Sequence, residues 1–125
     1  MVNDPLYREI IMEHWKYPRN YGVINNPDVD VTENNPVCGD NVRIMAKIKS
    51  KRIEEIGFTC SGCAVSKALA SILTIKVKGM KVEEFRKMKP EVLLADLGVE
   101  FSPVRMKCAL LGFSTLKKAL SPGGE

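Results

Sequence analysis

The stretch "VRIMAKIKSKRIEEIGFTCSGCAVSKALASILTIKV" occupies residues 42–77 and contains two hydrophobic periods in succession. In its first part apolar side chains alternate with other side chains, which is typical of a half-buried β-strand. A polar turn at Ser50–Arg52 precedes a second apolar run that ends at Cys60. Two such runs joined by a short turn predict an antiparallel hairpin. The predicted core positions are Val42, Ile44, Ala46, Ile48, Ile53, Ile56, Phe58 and Cys60, and the predicted solvent positions of the first strand are Arg43, Met45, Lys47 and Lys49.

After Gly62 the hydrophobic period changes to that of a helix. Apolar residues recur three and four positions apart between Ala64 and Val77, and Gly79 follows as a stop signal. The other predicted elements are a helix over residues 5–15 with Asp4 as its N-cap, a strand over residues 30–32, helical turns over residues 82–88, a short helix from Pro90 and a last helix that begins near Cys108. Because the strands come first and most helices follow, we expect an α+β fold. It would be one domain, residues 1–125, with a small three-stranded antiparallel sheet and helices packed on one face.

The composition is that of an ordinary globular protein. The chain has 125 residues, of which 45% are hydrophobic and 27% are charged, and its formal net charge is +4. Because the basic residues are spread along the chain without interleaved aromatic residues, nucleic-acid binding is not expected. No apolar run resembles a signal peptide or is long enough to cross a bilayer, so we expect no membrane association and a cytoplasmic location.

The cysteines and their neighbours carry the chemistry that the sequence offers. Cys38 lies in a loop rich in turn formers, Cys63 at the change from strand to helix, and Cys108 at the predicted start of the last helix. Asp40 follows Cys38 after Gly39, whose conformational freedom permits a tight turn. Side chains at element boundaries can converge at one edge of a domain, and four such ligands would suit tetrahedral Zn²⁺ or a [2Fe–2S] cluster. The residues alone leave open whether the cysteines are ligands or separate core residues.

Cys60 is set apart from the other cysteines by strand parity. It shares the apolar face of its strand with Ile56 and Phe58, which favours a buried core cysteine over a ligand. A thioredoxin-type dithiol with Cys63 is not expected either, since that motif belongs to a parallel βαβ context. His14, the one histidine, lies on the first helix and far in sequence from every cysteine. The sequence therefore gives little support to a Cys–His catalytic pair.

Five segments, in order and spread over nearly the whole chain, match a known pattern: "YREIIMEHWKYPRNYG" (residues 7–22), "NNPVCGDNVRI" (34–44), "IEEIGFTCSGCAVSKALASIL" (53–73), "VKGMKVEEF" (77–85) and "SPVRMKCALLGFSTLKKAL" (102–120). They resemble the IscU family of iron–sulfur cluster scaffold proteins, which also occurs as the N-terminal domain of NifU. Three separated cysteine segments with matching flanks make this resemblance specific.

The resemblance implies an IscU/SufE-like fold and an assembly site formed by Cys38, Asp40, Cys63 and Cys108. Members of the family accept sulfur from a cysteine desulfurase, take up iron, build a [2Fe–2S] cluster and pass it to carriers or apo-proteins. The chain is therefore expected to be a scaffold and not an enzyme, with Cys108 as the persulfide acceptor and Cys63 next. An oxygen ligand among thiolates would favour release of the cluster. Zinc could occupy the cluster-free site, and a second copy of the chain could share or shield the cluster.

Two departures from the family pattern bear on function. Lys107 stands where many members have histidine, and it could pair with Asp40 in the metal-free state. Residues 101–105, Phe-Ser-Pro-Val-Arg, replace the Leu-Pro-Pro-Val-Lys segment that a specialised Hsp70 chaperone reads. This replacement puts chaperone-assisted transfer in doubt.

Lysine before the third cysteine also occurs in the related SufU branch, whose members bind zinc and relay sulfur. That branch typically carries an insertion between the second and third cysteines, whereas Cys108 follows Cys63 by 45 positions, which resembles the shorter IscU spacing. The scaffold interpretation is therefore preferred, with a zinc-dependent sulfur relay as the alternative. A third hypothesis is a structural zinc domain, which would unfold when its metal is removed.

Overall fold

The structure is a computed structural model that describes residues 5–35, 39–95 and 102–121. Its helices are α1 (Pro5–Lys16), α2 (Ala64–Val77), α3 (Val82–Lys87), α4 (Pro90–Ala95), α5 (Pro103–Ala109) and α6 (Leu111–Ala119). Its strands are β1 (Val29–Asn35), β2 (Asp40–Lys49) and β3 (Arg52–Ser61), which form one antiparallel sheet in the order β1–β2–β3. The predicted α+β fold with a three-stranded sheet is confirmed. Within the described ranges, no helix has the length and apolar character needed to cross a membrane.

The β2–β3 hairpin forms where the alternating pattern predicts it. Its turn contains Ser50 and Lys51, whose φ angles are both positive, at 53° and 63°. A two-residue turn with two positive φ angles has the handedness that matches the twist of the flanking strands. The resulting register places Asn41 opposite Ser61 at the other end of the hairpin. The start of β2 therefore lies beside the end of β3, and the candidate site is built at this end of the sheet.

Met45 corrects the sequence prediction for β2. It lies at a predicted solvent position, yet its side chain is fully buried. Its partner on β3 is Gly57, and a β-carbon added to Gly57 would lie 2.7 Å from the carbonyl oxygen of Gly22. A backbone hydrogen bond of 2.8 Å from Gly22 to Phe58 holds this segment against β3. The loop between α1 and β1 thus covers part of the sheet face that the alternation alone assigns to solvent.

α2 lies at the centre of the fold and is buried over most of its length. It contacts the sheet, α1, α5 and α6. Two of its hydroxyl groups hold the α1 region: the Ser71 hydroxyl lies 2.7 Å from His14 Nδ1, and the Thr74 hydroxyl accepts a hydrogen bond of 3.0 Å from the Asn20 amide. His14 therefore contributes to the packing of α1 on α2, and it has no contact with the cysteines in the described part of the chain.

Several element boundaries differ from the predictions. β1 covers seven residues, whereas the sequence predicts residues 30–32. The last helix, predicted to begin near Cys108, corresponds to α6, which begins at Leu111, and Cys108 lies in a separate helix, α5, that the sequence did not predict. Ser102 caps α5 by accepting the Arg105 N–H at 3.3 Å, and Pro103 is its first residue. Cys108 consequently lies in the last turn of α5 and not at the start of a helix. The predicted N-cap Asp4 lies outside the described residues.

Candidate metal centre

Three of the four predicted ligand residues lie together at one end of the sheet. Asp40 is the first residue of β2, Cys63 caps α2 just after β3 ends, and Cys108 lies in the last turn of α5. One carboxylate oxygen and the two sulfur atoms all lie within 4.8 Å of one another. Cys38 lies outside the described residues. The fold thus brings together residues that are 23 and 45 positions apart in the sequence.

The carboxylate of Asp40 is buried and accepts a hydrogen bond at each oxygen. The backbone N–H of Cys63 donates to Oδ1 at 2.9 Å, and the hydroxyl of Ser66 donates to Oδ2 at 2.5 Å. A bond as short as the second is typical of a hydroxyl group that donates to an ionised carboxylate. Because a buried carboxylate is costly without such donors, these bonds both stabilise Asp40 and fix its orientation.

The glycine between β3 and α2 permits this close approach. Gly62 has a φ of +141°, and a β-carbon added to it would lie 2.0 Å from Asp40 Oδ1. A larger residue at this position would therefore displace the carboxylate. Gly39, the residue before Asp40, has a φ of +75°, and its N–H donates to the Asn35 carbonyl at 2.7 Å. This is the conformation that the predicted tight turn at Gly39 needs.

Cys63 is half-buried and faces Asp40 directly. Its Sγ lies 3.3 Å from Asp40 Oδ2 and 3.6 Å from the Ser66 hydroxyl. As the N-cap of α2 it has an extended backbone, with φ −80° and ψ 164°. The N-terminal end of α2 therefore directs its partial positive charge towards the place where anionic ligands would surround an ion.

Cys108 is buried, with 2% of its surface exposed. The Asn35 amide lies 3.9 Å from its Sγ, and its carbonyl oxygen lies 3.2 Å from the Ser66 hydroxyl. The position predicted for it is wrong: Cys108 does not lie at the start of a helix, because α5 begins at Pro103 and ends at Ala109. Access of a partner's sulfur to Cys108 would need a local rearrangement, whereas Cys63 is more exposed.

Cys60 lies near the site but outside the converging group. Its half-buried side chain packs against the hydrophobic core. Burial, followed by the negative charges of Asp40 and Cys63, raises the pKa of the Cys60 thiol to about 11. The thiol is therefore protonated at neutral pH, which disfavours metal binding because the thiolate is the ligand.

Lys107 borders a cavity of about 440 Å³ beside Cys108. The cavity lies between the end of β1 and the α5–α6 segment, and Asn35 and Leu111 also line it. The side chain of Lys107 is exposed. A pairing of Lys107 with Asp40, as the sequence suggests, would have to compete with the hydrogen bonds that the carboxylate accepts from the Cys63 N–H and the Ser66 hydroxyl.

The donor set suits a borderline or soft metal ion. Around a tetrahedral Zn²⁺, sulfur ligands at about 2.3 Å and oxygen ligands at about 2.0–2.2 Å lie roughly 3.3–3.8 Å apart. The distance of 3.3 Å between Cys63 Sγ and Asp40 Oδ2 already matches this range. Because the whole group lies within 4.8 Å, binding would need a contraction of about 1 Å. Three donors leave room for a fourth ligand.

Ser66 contacts the site, but the sequence patterns do not single it out. It is fully buried and lies three positions after Cys63, on the same face of α2. A hydroxyl on an otherwise aliphatic helix face, one turn from a candidate ligand, is the signal by which it could have been found.

The family of the chain follows from comparison with known proteins. The NifU-like N-terminal domain model matches residues 6–122. The chain belongs to this family. It is 36% identical over 135 residues to the zinc-dependent sulfurtransferase SufU of Bacillus subtilis (strain 168), covering 94% of this chain and 91% of that protein. It is 36% identical over 115 residues to the iron–sulfur cluster assembly scaffold protein IscU 1 of Archaeoglobus fulgidus, covering 92% of this chain and 74% of that protein.

Among solved structures, the chain is similar to SufU of the thermophile Fervidobacterium islandicum AW-1, a protein of the SUF system. The TM-score is 0.79 and the identity 27%, with coverage of 90% of this chain and 95% of that chain.

The aligned lengths distinguish two types of relative. The alignment with Bacillus SufU spans 135 residues, more than the 125 of this chain, so that relative has residues without a counterpart here. The alignment with Archaeoglobus IscU 1 spans 115 residues, which is 92% of this chain and needs no such insertion. The Fervidobacterium SufU also matches almost end to end. Length therefore groups this chain with Archaeoglobus IscU 1. It does not follow the printed names, because the protein named IscU of Streptococcus pyogenes aligns over 132 residues and also has residues without a counterpart here.

Proposed function

We propose that this protein is a scaffold on which a [2Fe–2S] cluster is assembled from iron and desulfurase-derived sulfur and then transferred to acceptor proteins. The observation that carries the proposal is the convergence of Asp40, Cys63 and Cys108, whose ligand atoms lie within 4.8 Å of one another at one end of the sheet. The cluster is the cargo of such a protein, so the proposed role is binding and transfer and not catalysis of a turnover reaction.

The proposed ligands are Cys38, Asp40, Cys63 and Cys108. Three thiolates and one carboxylate supply the four protein ligands that two iron atoms of a [2Fe–2S] cluster require. Gly39 joins Cys38 to Asp40 in the chain, and its positive φ supports the turn between them. A carboxylate oxygen is a harder ligand than a thiolate, and this mismatch with iron–sulfur chemistry would keep the cluster exchangeable.

Sulfur would enter by thiol–disulfide chemistry. A thiolate of this chain attacks the outer sulfur of the desulfurase persulfide, a new sulfur–sulfur bond forms, and the desulfurase cysteine leaves as a thiolate. The candidate acceptors are Cys108 and Cys63. The partial exposure of Cys63 supports it as the first acceptor in the form described, because Cys108 is buried.

The partners implied are a cysteine desulfurase and iron–sulfur carriers or apo-acceptors. Relatives named as assembly scaffolds at 36% identity support this proposal.

A zinc-dependent sulfur relay is the second candidate function. The observation that favours it is the 36% identity to the Bacillus protein named a zinc-dependent sulfurtransferase, together with Lys107 before the third cysteine. In that case zinc would be held by the same donors, and the persulfide would pass on without cluster assembly. The spacing of 45 positions between Cys63 and Cys108, which resembles the shorter IscU type, supports the scaffold.

Anaerobic reconstitution tests the two functions against each other. The protein is incubated with a cysteine desulfurase, cysteine, ferrous iron and a thiol reductant, which supplies the electrons that convert persulfide sulfur to sulfide. A scaffold is expected to acquire the visible absorption of a protein-bound [2Fe–2S] cluster and to activate an apo-ferredoxin when mixed with it. A colourless protein that retains zinc and stimulates desulfurase turnover would instead support the relay. If the protein shows neither behaviour, a structural zinc domain is the remaining hypothesis.

A further inference from the structure

Ser66 contacts all three residues of the described site. Its hydroxyl oxygen lies 2.5 Å from Asp40 Oδ2, 3.2 Å from the Cys108 carbonyl oxygen and 3.6 Å from Cys63 Sγ. The side chain is fully buried. It thus links the start of β2, the first turn of α2 and the last turn of α5 at a single atom.

Ser66 differs from Thr74 and Thr115, two other buried residues with hydroxyl groups on the helices, whereas Ser71 on α2 also contacts residues remote in sequence. Thr74 donates to the Ser71 carbonyl, and Thr115 donates to the Leu111 carbonyl, each at 2.7 Å and each on its own helix. Such local bonds are the usual way in which a helical hydroxyl is satisfied. Ser66 instead reaches residues 26 and 42 positions away in the chain. Local helix geometry therefore does not account for its contacts.

The hydroxyl of Ser66 has one proton and two oxygen acceptors within reach. A serine can donate only one hydrogen bond at a time. The shorter distance, 2.5 Å, assigns the proton to Asp40, and the Cys108 carbonyl at 3.2 Å is the second acceptor. The Asp40 carboxylate is consequently clamped at two points, by the Cys63 N–H on Oδ1 and by Ser66 on Oδ2.

We infer that Ser66 is a positioning residue that holds Asp40 as the oxygen ligand of the site, and that its hydroxyl proton turns to the Cys108 carbonyl when Oδ2 binds an ion. The inference rests on the proposed function, since it assumes that these residues bind metal. The first bond keeps the carboxylate facing the thiols before an ion arrives. The second keeps the hydroxyl satisfied afterwards and ties α5, which carries Cys108, to α2.

The test is Ser66→Ala, measured by Co²⁺ titration of the reduced protein under anaerobic conditions. Outer hydrogen-bond partners of metal ligands typically contribute about 10–100-fold to affinity. We expect Ser66→Ala to weaken Co²⁺ binding about 10-fold and to shift the visible ligand-field bands, because the oxygen ligand is no longer held. Ser71→Ala is the matched control: Ser71 is also buried on α2, but its hydroxyl contacts His14 and the Arg19 N–H. That variant is expected to retain the affinity and the spectrum.

A double-mutant cycle separates positioning from general destabilisation. If Ser66 acts through Asp40, then Ser66→Ala should cause little further loss of Co²⁺ affinity in an Asp40→Ala background. Equal losses in both backgrounds, or unchanged binding in Ser66→Ala itself, would overturn the inference while leaving the proposed site intact. Failure of the unsubstituted protein to bind Co²⁺ would contradict the proposed site, and the role of Ser66 with it.

Discussion

The carboxylate of Asp40 lies against the α-carbon of Gly62, at the junction of β3 and α2. A β-carbon on Gly62 would lie 2.0 Å from Oδ1 and 2.5 Å from the carboxylate carbon. The same carboxylate oxygen accepts the N–H of Cys63 at 2.9 Å. Residue 62 must therefore lack a side chain if a carboxylate from one strand is to meet a cysteine at the start of the helix.

Gly62→Ala is expected to weaken metal binding by at least about 10-fold, because the new methyl group would displace the carboxylate of Asp40, the proposed oxygen ligand. Gly79→Ala is the matched control. Gly79 also has a positive φ, +85°, but a β-carbon there meets nothing within 4 Å. Both variants should lose about 1–3 kcal/mol of stability through backbone strain. Co²⁺ titration alongside chemical unfolding checks this prediction, and equal metal affinities in the two variants would contradict it.

Cys60 is expected to be less reactive than Cys63. With a pKa of about 11, roughly one Cys60 thiol in three thousand is ionised at about pH 7.5. Iodoacetamide labelling of the metal-free protein, followed by peptide mass spectrometry, should show Cys63 modified well before Cys60.

Burial raises the pKa of the Cys60 thiol from 9.0, so the folded state prefers the neutral thiol. This contribution to stability is complete below pH 9 and is lost as the pH rises towards 11.

The ligand set can be tested with single cysteine substitutions. Cys60→Ser should retain metal stoichiometry, whereas Cys63→Ser and Cys108→Ser should lose or greatly weaken metal binding. The same loss is proposed for Cys38→Ser. Loss of metal in Cys60→Ser with retention in Cys63→Ser would reverse the assignment.

The packing of α1 on α2 should depend on pH through His14. Burial, then the positive charge of Arg19, lowers the pKa of His14 below 6.5, although Glu13 acts in the opposite direction. The neutral ring is therefore preferred in the folded state, so its contribution to stability is complete above about pH 6.5 and is lost as the pH falls below it. Unfolding of the metal-free protein, followed by the fluorescence of Trp15 on α1, should show a decline in stability between about pH 6.5 and pH 5.

His14→Asn provides the control for this pH dependence. Asparagine does not titrate, and its side-chain oxygen can accept a hydrogen bond near the position of Nδ1, which the Ser71 hydroxyl contacts at 2.7 Å. The decline below pH 6.5 should be smaller in this variant. An unchanged pH profile would mean that other groups cause the decline.

Lys107→Ala is expected to change metal occupancy. Lys107 is exposed and adjacent to the buried Cys108, so removal of its positive charge should strengthen cation binding by roughly 2–5-fold, the magnitude of an exposed charge interaction. The effect should diminish in high salt. Lys49→Ala is the control, because Lys49 is equally exposed but lies at the far end of β2 from Asp40. Indistinguishable affinities of both variants and the parent would exclude a tuning role for Lys107.

Local patterns predicted most of the fold because strands and helices differ in period over short distances. The alternation in β2 and the three-to-four spacing in α2 fall within single elements, and both elements form as expected. Met45 could not be placed correctly, since its cover comes from a loop about 20 residues earlier in the chain. The start of α5 was readable, because Ser102 followed by Pro103 is a typical helix start, whereas the break at Leu110 has no such signal.

The candidate site was harder to predict, because it depends on distances between segments remote in sequence. Boundary positions and donor chemistry pointed to Asp40, Cys63 and Cys108, but their spacing could not show that the three converge. Ser66 was missed for a related reason. Its hydrogen-bond acceptors lie on β2 and α5, and the residues next to Ser66 in the sequence do not identify these remote acceptors.

The convergence of Asp40, Cys63 and Cys108 also has a consequence for the chain as a polymer. An ion held by all three would act as a reversible cross-link that closes segments of 23 and 45 residues. Such a link restricts the unfolded chain more than the folded one. Its contribution to the free energy of unfolding grows with the free ion concentration. Resistance to unfolding would then rise on loading and fall on delivery, so a melting curve alone could report whether the protein is carrying its cargo.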